Sequence, residues 1–306
     1  MEMFLNDLLA RIQPRGGIRF TPQSRDRPDA TAWGTIILSH VESQFEHEAH
    51  AIERFRDDLT THQMKDGRVS LSTDHPEAFW PTPLSILAWE TSQAHQAPQE
   101  KAIQFLLNSS GEHWGKNPES PLGHDTSLKG WPWIAHTHSW VEPTAMAMTA
   151  LQNVGYSHHP RLAEATNMLL DRQLPHGGWN YGNTMLFRQE LKPSPEDTGA
   201  ALSALAGRVK KSFISKSLEF LHAEYARLQT PIALGWSLLG LNAWNETPPD
   251  ATTRIHNTWN RGERFGGYDT PSLCLLLAPL IAPHGLNNLF PTQTSAPIST
   301  AAMANM

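Results

Sequence analysis

Five consecutive residues set two carboxyl groups side by side: Ser194-Pro195-Glu196-Asp197-Thr198. Two close carboxylates cannot both ionise cheaply, so one of such a pair can be held neutral and used as a proton donor. A plainer use competes with this. An acid just behind a proline belongs in the first turn of a helix, facing the positive end of its dipole. From the residues alone both uses stay open.

Other side chains invite the same weighing. Trp80, Trp89, Trp131, Trp133 and Trp140 can offer ring faces to a cation, each contact being worth about 0.5–2 kcal/mol, or can simply fill a core. His136-Thr137-His138-Ser139-Trp140-Val141-Glu142 brings two imidazoles and a carboxylate within seven positions. A metal would need a fourth ligand that the stretch lacks, and loop histidines bonded to backbone account for it, so no metal is expected. The single cysteine, Cys274, sits in an apolar run and reads as a buried core thiol. It excludes an internal disulfide and any zinc site built on two thiolates. No phosphate-binding glycine loop, dinucleotide fingerprint or nucleophile elbow occurs, and no cofactor is expected.

The elements that must position these groups repeat. Six stretches open on a Thr beside Pro, Asp or Glu, at Thr31, Thr82, Thr144, Thr198, Thr230 and Thr270. Each reads as a helix N-terminus with an oxygen-bearing cap. The residues behind each opening are small and apolar on every face, as in Gly199-Ala200-Ala201-Leu202-Ser203-Ala204-Leu205, and a helix without a polar face must be buried. Between them lie amphipathic helices. In residues 161–173, Leu162, Ala165 and Leu169 share a stripe; in 217–228, Leu218, Leu221, Tyr225 and Leu228 do. Six buried helices alternating with amphipathic ones predict an inner helical barrel wrapped by an outer one: an all-α, (α/α)6 toroid over residues 1–284. Residues 109–140 read as a long ordered loop and 285–306, rich in Ser, Thr, Pro and Ala, as a flexible tail.

Composition narrows the partners. Across 306 residues the formal net charge is −6 and no run of Lys or Arg appears, which excludes the basic field that nucleic acid requires. No apolar run approaches the ~20 residues of a membrane span, and no signal peptide is evident. The expectation is a cytoplasmic protein without a transmembrane segment, for which peripheral membrane contact stays compatible. Eleven Trp are more than chance supplies.

One segment is more specific. Leu169-Leu170-Asp171-Arg172-Gln173-Leu174-Pro175-His176-Gly177-Gly178-Trp179 resembles the second half of the QW motif of squalene–hopene cyclases and related triterpene cyclases, with a weaker copy at 59–69. Lys101–Leu106 and Lys216–Leu221 resemble its first half. The resemblance, to the superfamily of prenyltransferase and squalene-cyclase repeats, implies an α/α toroid with a hydrophobic central cavity for an isoprenoid-like ligand. It aligns Ser194–Thr198 with the DxDD-Thr segment whose middle acid protonates an alkene in a class II cyclisation. Here the first acid is Ser194, so the resemblance implies catalysis by Glu196 with Asp197, and substrate contacts from Trp80, Trp133, His138, Trp140 and Glu142. The alternative is a non-catalytic toroid that binds a hydrophobic ligand or a prenylated partner. The Asp-x-Cys pair of prenyltransferase zinc sites is lacking, as is the acid-rich diphosphate motif of class I terpene synthases.

Overall fold

Six helices whose every face is apolar pack against one another because no face of them suits water. In the computed structural model, which describes residues 2–41, 49–115 and 122–290, these are α2 (Pro28–Val41), α4 (Pro81–Trp89), α6 (Val141–Asn153), α8 (Pro195–Leu205), α10 (Pro231–Ala243) and α12 (Thr270–Ile281). Each touches the next in chain order and α12 returns to α2, so the ring is closed. Behind them stand α1 (Glu2–Leu9), α3 (Ala49–Thr61), α5 (Gln96–Asn108), α7 (Pro160–Asp171), α9 (Ser215–Tyr225) and α11 (Ala251–Phe265). Phe4 of α1 meets His256 and Trp259 of α11, joining the two ends of the outer layer. This is the (α/α)6 toroid. No helix among the described residues is long and apolar enough to cross a membrane.

Small residues let the inner helices approach closely. A Cβ at Gly199 would overlap the Trp236 carbonyl, and one at Gly235 that of Leu275, so α8, α10 and α12 meet backbone to backbone. The outer helices bury the predicted stripes: Leu162, Ala165 and Leu169 on α7, and Leu218, Leu221 and Tyr225 on α9. Each large apolar side chain so withdrawn from water contributes about 1.5–3 kcal/mol.

The recurrent Thr does something other than capping at most of its six positions. Only Thr230 is an N-cap, accepting from the Ala233 N–H. The cap of α8 is Ser194 and that of α12 is Asp269. Thr82, Thr144 and Thr198 sit inside the first turn, fully buried, and accept the backbone N–H of Val69, Trp131 and Trp179 at 2.9–3.1 Å. Thr31 accepts that of Ile18 in the same way, while Thr270 donates to the Arg19 carbonyl. At Thr31, Thr82, Thr144 and Thr198 the repeat therefore pins an inner helix to the loop that precedes it, while Thr270 ties α12 to the loop before α2.

The loop itself carries the QW-like residues. Trp179 is fully buried and its indole donates to the Leu169 carbonyl at the end of α7. Gln63 bonds the carbonyls of Gly67 and Pro98, and Gln173 the hydroxyl of Ser217, tying each loop to the next outer helix. Gly67 and Gly177 have positive φ, and a Cβ on either would collide with the backbone of Lys101 or Lys216. Ile12–Ile18 is a third copy, bridged as Gln63–Val69 is, and hidden in the sequence because Ile stands at both the Gln and the Trp positions.

The chain beyond α12 corrects the expected tail at its start. Leu286, Leu289 and Phe290 are buried; Leu286 O accepts from Asn153 of α6, Asn287 donates to Ser203 O of α8, and Leu289 O bonds His40 of α2. These partners lie toward the C-terminal ends of three inner helices, so residues 286–290 close that end of the barrel. The rest of the expected tail, 291–306, lies outside the described residues.

Candidate active site

With inner and outer helices alternating in direction, all six inner N-termini gather at one end of the barrel, and the acids and indoles gather there with them. Trp80 and Trp140 are the N-cap residues of α4 and α6. Glu142 is the second residue of α6, and Glu196 and Asp197 the second and third of α8. Trp236 of α10 lies close enough to the Glu142 carboxyl to favour its ionised form and packs edge-on against Trp33 of α2, with ring centroids 6.4 Å apart. Helices α6, α10 and α2 are not neighbours in the ring. Their side chains meet only by crossing its interior, so Trp236, Trp33 and Glu142 lie at the centre of the ring.

Its chemistry is that of a buried acid cluster. Glu142 keeps some surface open to solvent, yet burial pushes its carboxyl up to about 8, with the negative charges of Asp197 and Glu196 acting the same way. Burial raises Asp197 to about 6, against a 2.6 Å hydrogen bond from the Ser194 hydroxyl that favours its ionised form. The helix N-termini also favour ionisation, by about 0.3–1 kcal/mol each. One pKa unit is worth about 1.4 kcal/mol, so that contribution is too small to reverse the effect of burial. Burial thus favours the protonated form of Glu142 near neutrality. Neither Glu142 nor Asp197 has an ion-pair partner among the described residues. Asp29, at the matching place on α2, is instead neutralised by Arg27 at 2.5 Å and accepts from the Trp80 indole at 3.4 Å.

The candidates named from the sequence divide. Glu196, Asp197 and Glu142 come together across the α6–α8 seam. Trp80 and Trp133 pair edge-to-face at 5.9 Å beside them, and His138 and Trp140 do so on the α6 side, continuing to Tyr181. Trp89 and Trp131 are no part of this centre: both are fully buried, with indoles donating to the carbonyls of Arg56 and Leu106, on the outer side of the inner layer. His136 is exposed and faces Glu112 at 3.9 Å, away from Glu142, so the His-Thr-His-Ser-Trp-Val-Glu stretch does not converge on one point. Cys274 is fully buried and burial pushes its thiol up. Sequence reasoning missed Trp33 and Trp236. The available signal was a single bulky ring among small residues, in Ala32-Trp33-Gly34 and Gly235-Trp236-Ser237.

No protein-family model matches the chain, and no curated protein is similar to it. Among solved structures it is similar to a protein from Actinoplanes, 15% identical over 92% of this chain and 98% of that one, with a TM-score of 0.61. It is similar also to an alpha-1,6-mannanase of Salegentibacter sp., an inactive variant in complex with alpha-1,6-mannotriose, at 9% identity, 93% and 97% coverage and a TM-score of 0.59. A third is a variant of the type II terpene cyclase MstE from Scytonema in complex with geranylgeranyl dihydroxybenzoate, at 14% identity, 95% and 82% coverage and a TM-score of 0.52. At such identities the likeness is one of fold. The chain is an α/α toroid, an architecture it shares with a terpene cyclase and a glycoside hydrolase.

Proposed function

We propose that this protein is an acid-initiated cyclase or isomerase of an isoprenoid chain, kin to squalene–hopene-type enzymes, with Glu142 as the proton donor. The observation that carries this reading is a carboxyl at the centre of the helical ring that burial and two neighbouring acids push up to about 8, next to the paired rings of Trp33 and Trp236. An alkene is a weak base and needs a donor that stays neutral until used. In the step, the Glu142 O–H passes its proton to a terminal alkene carbon, whose π pair becomes the new C–H bond. With an epoxide the proton goes to oxygen as the C–O bond opens. The cation left on the substituted carbon is stabilised by the faces of Trp33 and Trp236, and an internal alkene closes the ring. Loss of a proton to a carboxylate or to water at the mouth restores neutrality, so the net change is isomerisation without a co-reactant. Asp197 and Glu196 act as the like charges that keep Glu142 protonated. The complex of MstE with a geranylgeranyl compound supports the substrate class.

A second reading has its own support. Paired carboxyls below aromatic walls also suit protonation of a glycosidic oxygen, and the mannanase likeness favours it. Incubation with linear isoprenoids, their epoxides and mannan oligosaccharides, followed by mass spectrometry, separates the two. The cyclase reading expects a product of unchanged mass and new retention time, absent in Glu142→Gln. Hydrolysed oligosaccharide with untouched isoprenoid overturns it, and isoprenoid binding without any conversion would favour a non-catalytic toroid.

A further inference from the structure

The loop before α8 rises in a hairpin whose two legs are tied to the helices that carry the acids. In the first leg the Tyr181 carbonyl accepts the N–H of Val141, the residue before Glu142 at the start of α6. In the second leg Ser194, bridged to Trp179, caps α8 and holds Asp197 at 2.6 Å. The buried Asn180 cross-links the legs by donating to the carbonyls of Asn183 and Lys192. Beyond this base, strands β1 (Met185–Leu186) and β2 (Gln189–Glu190) carry the tip, Phe187-Arg188. A two-residue turn with both φ values positive is normally built from Asn-Gly or its like, yet Phe187 and Arg188 hold φ of 49° and 63°. Residues with a Cβ resist that conformation, and strain of this kind collects at ligand clamps and switch segments. The Phe187 side chain is also 81% exposed, with Tyr181 and Met185 of the same loop exposed beside it. Among the described residues neither Phe187 nor Arg188 has a side-chain hydrogen bond, ion pair or ring partner.

We propose that this hairpin is a lid over the Glu142 site and that Phe187 is the side chain that closes on the ligand. The last bond of the base runs from the Leu191 N–H to the Thr184 carbonyl, so the movement is confined to residues 185–190. The ion pair of Glu190 with His176, 4.0 Å apart and open to solvent, does little to hold that segment. From Thr184 to Phe187 a strand reaches about 10 Å, enough for the tip to fold over the α6–α8 seam in which both legs are rooted. Closure takes the Phe187 ring out of water, and its contact with a ligand compensates the strain of the turn. The reaction proposed above gives closure a purpose, because a cation formed at Glu142 must be kept from water until its ring has closed. That the ligand is an isoprenoid rests on the cyclase reading; the movement of the lid is measured without turnover.

The test labels the tip. Cys274 is the single cysteine and is buried, so Arg188→Cys supplies one reactive thiol, whose alkylation by a maleimide is timed in the full chain with and without farnesol or alpha-1,6-mannotriose. Farnesol is expected to slow alkylation about fivefold or more, as a shift to a mostly closed lid requires. Adding Phe187→Ala should abolish the slowing and weaken farnesol binding about tenfold in calorimetry, the loss of one buried ring. Phe187→Asn combined with Arg188→Gly suits the turn and should raise the melting temperature by about 2 °C or more. Alkylation at the same rate with either ligand overturns the lid, even where isoprenoids are converted. Slowing that survives Phe187→Ala, or a melting temperature that does not rise, overturns it as well. Slowing by mannotriose and not by farnesol, or slowing by farnesol in a chain that converts no isoprenoid, upholds the lid while the cyclase reading falls.

Discussion

The Trp236 indole reaches past helix α8 to the neighbourhood of the Glu142 carboxyl, two inner helices away. That approach defines the centre of the ring and joins the acid to its aromatic surroundings. The nearby indole N–H favours the ionised carboxylate, so it opposes burial. Trp236→Phe, which keeps a ring and removes the N–H, should raise the Glu142 titration above about 8. An unchanged or lowered midpoint in a carboxyl titration by NMR would contradict the arrangement.

Stability should carry the same signature. The folded Glu142 titrates near 8 against about 4.5 when unfolded, so folding retains its proton. Its contribution is fully present below pH 4.5 and is lost as pH rises through 8. Glu142→Gln should therefore match the wild type at about pH 4 and exceed it at about pH 9, by roughly 2 kcal/mol once partial access of water from the mouth is allowed for. Urea melts at the two pH values measure this, and a variant less stable at the alkaline one would refute it.

Activity distinguishes the two raised acids. If Glu142 is the donor, turnover of an isoprenoid substrate should hold through neutrality and fall above about pH 8; a donor at Asp197 would fail above about 6. A rate profile spanning both midpoints reads the difference. Asp197→Asn removes a like charge and should move the alkaline limb toward lower pH.

The threonine pins predict an ordering of stabilities. Thr198→Val would leave the buried Trp179 N–H without its acceptor, at a cost of about 1–3 kcal/mol. Thr230→Val removes an exposed cap, for about 1 kcal/mol. Equal losses in thermal melts would mean that the six threonines are equivalent after all.

The toroid was legible because periodicity and exclusion of polar residues are local properties: Ala200-Ala201-Leu202 cannot face water, and Leu162, Ala165 and Leu169 must face one way. The acids at 142, 196 and 197 were legible as residue types. What joins them was not. Glu142 and Asp197 lie far apart in the chain, and their coupling depends on how α6 and α8 pack. Capping was assigned to Thr198 because Ser194 and Thr198 both follow the rules for an N-terminus; only the fold shows that Ser194 caps while Thr198 holds the preceding loop.

The central claim is that Glu142 is protonated at neutral pH, and its vibrational spectrum tests this most directly. Infrared difference spectra of wild type minus Glu142→Gln, recorded across the neutral and alkaline range, isolate that single carboxyl. The carbonyl stretch of a protonated acid is expected at neutrality, disappearing with a midpoint near 8. A carboxylate already fully ionised at neutral pH would contradict it.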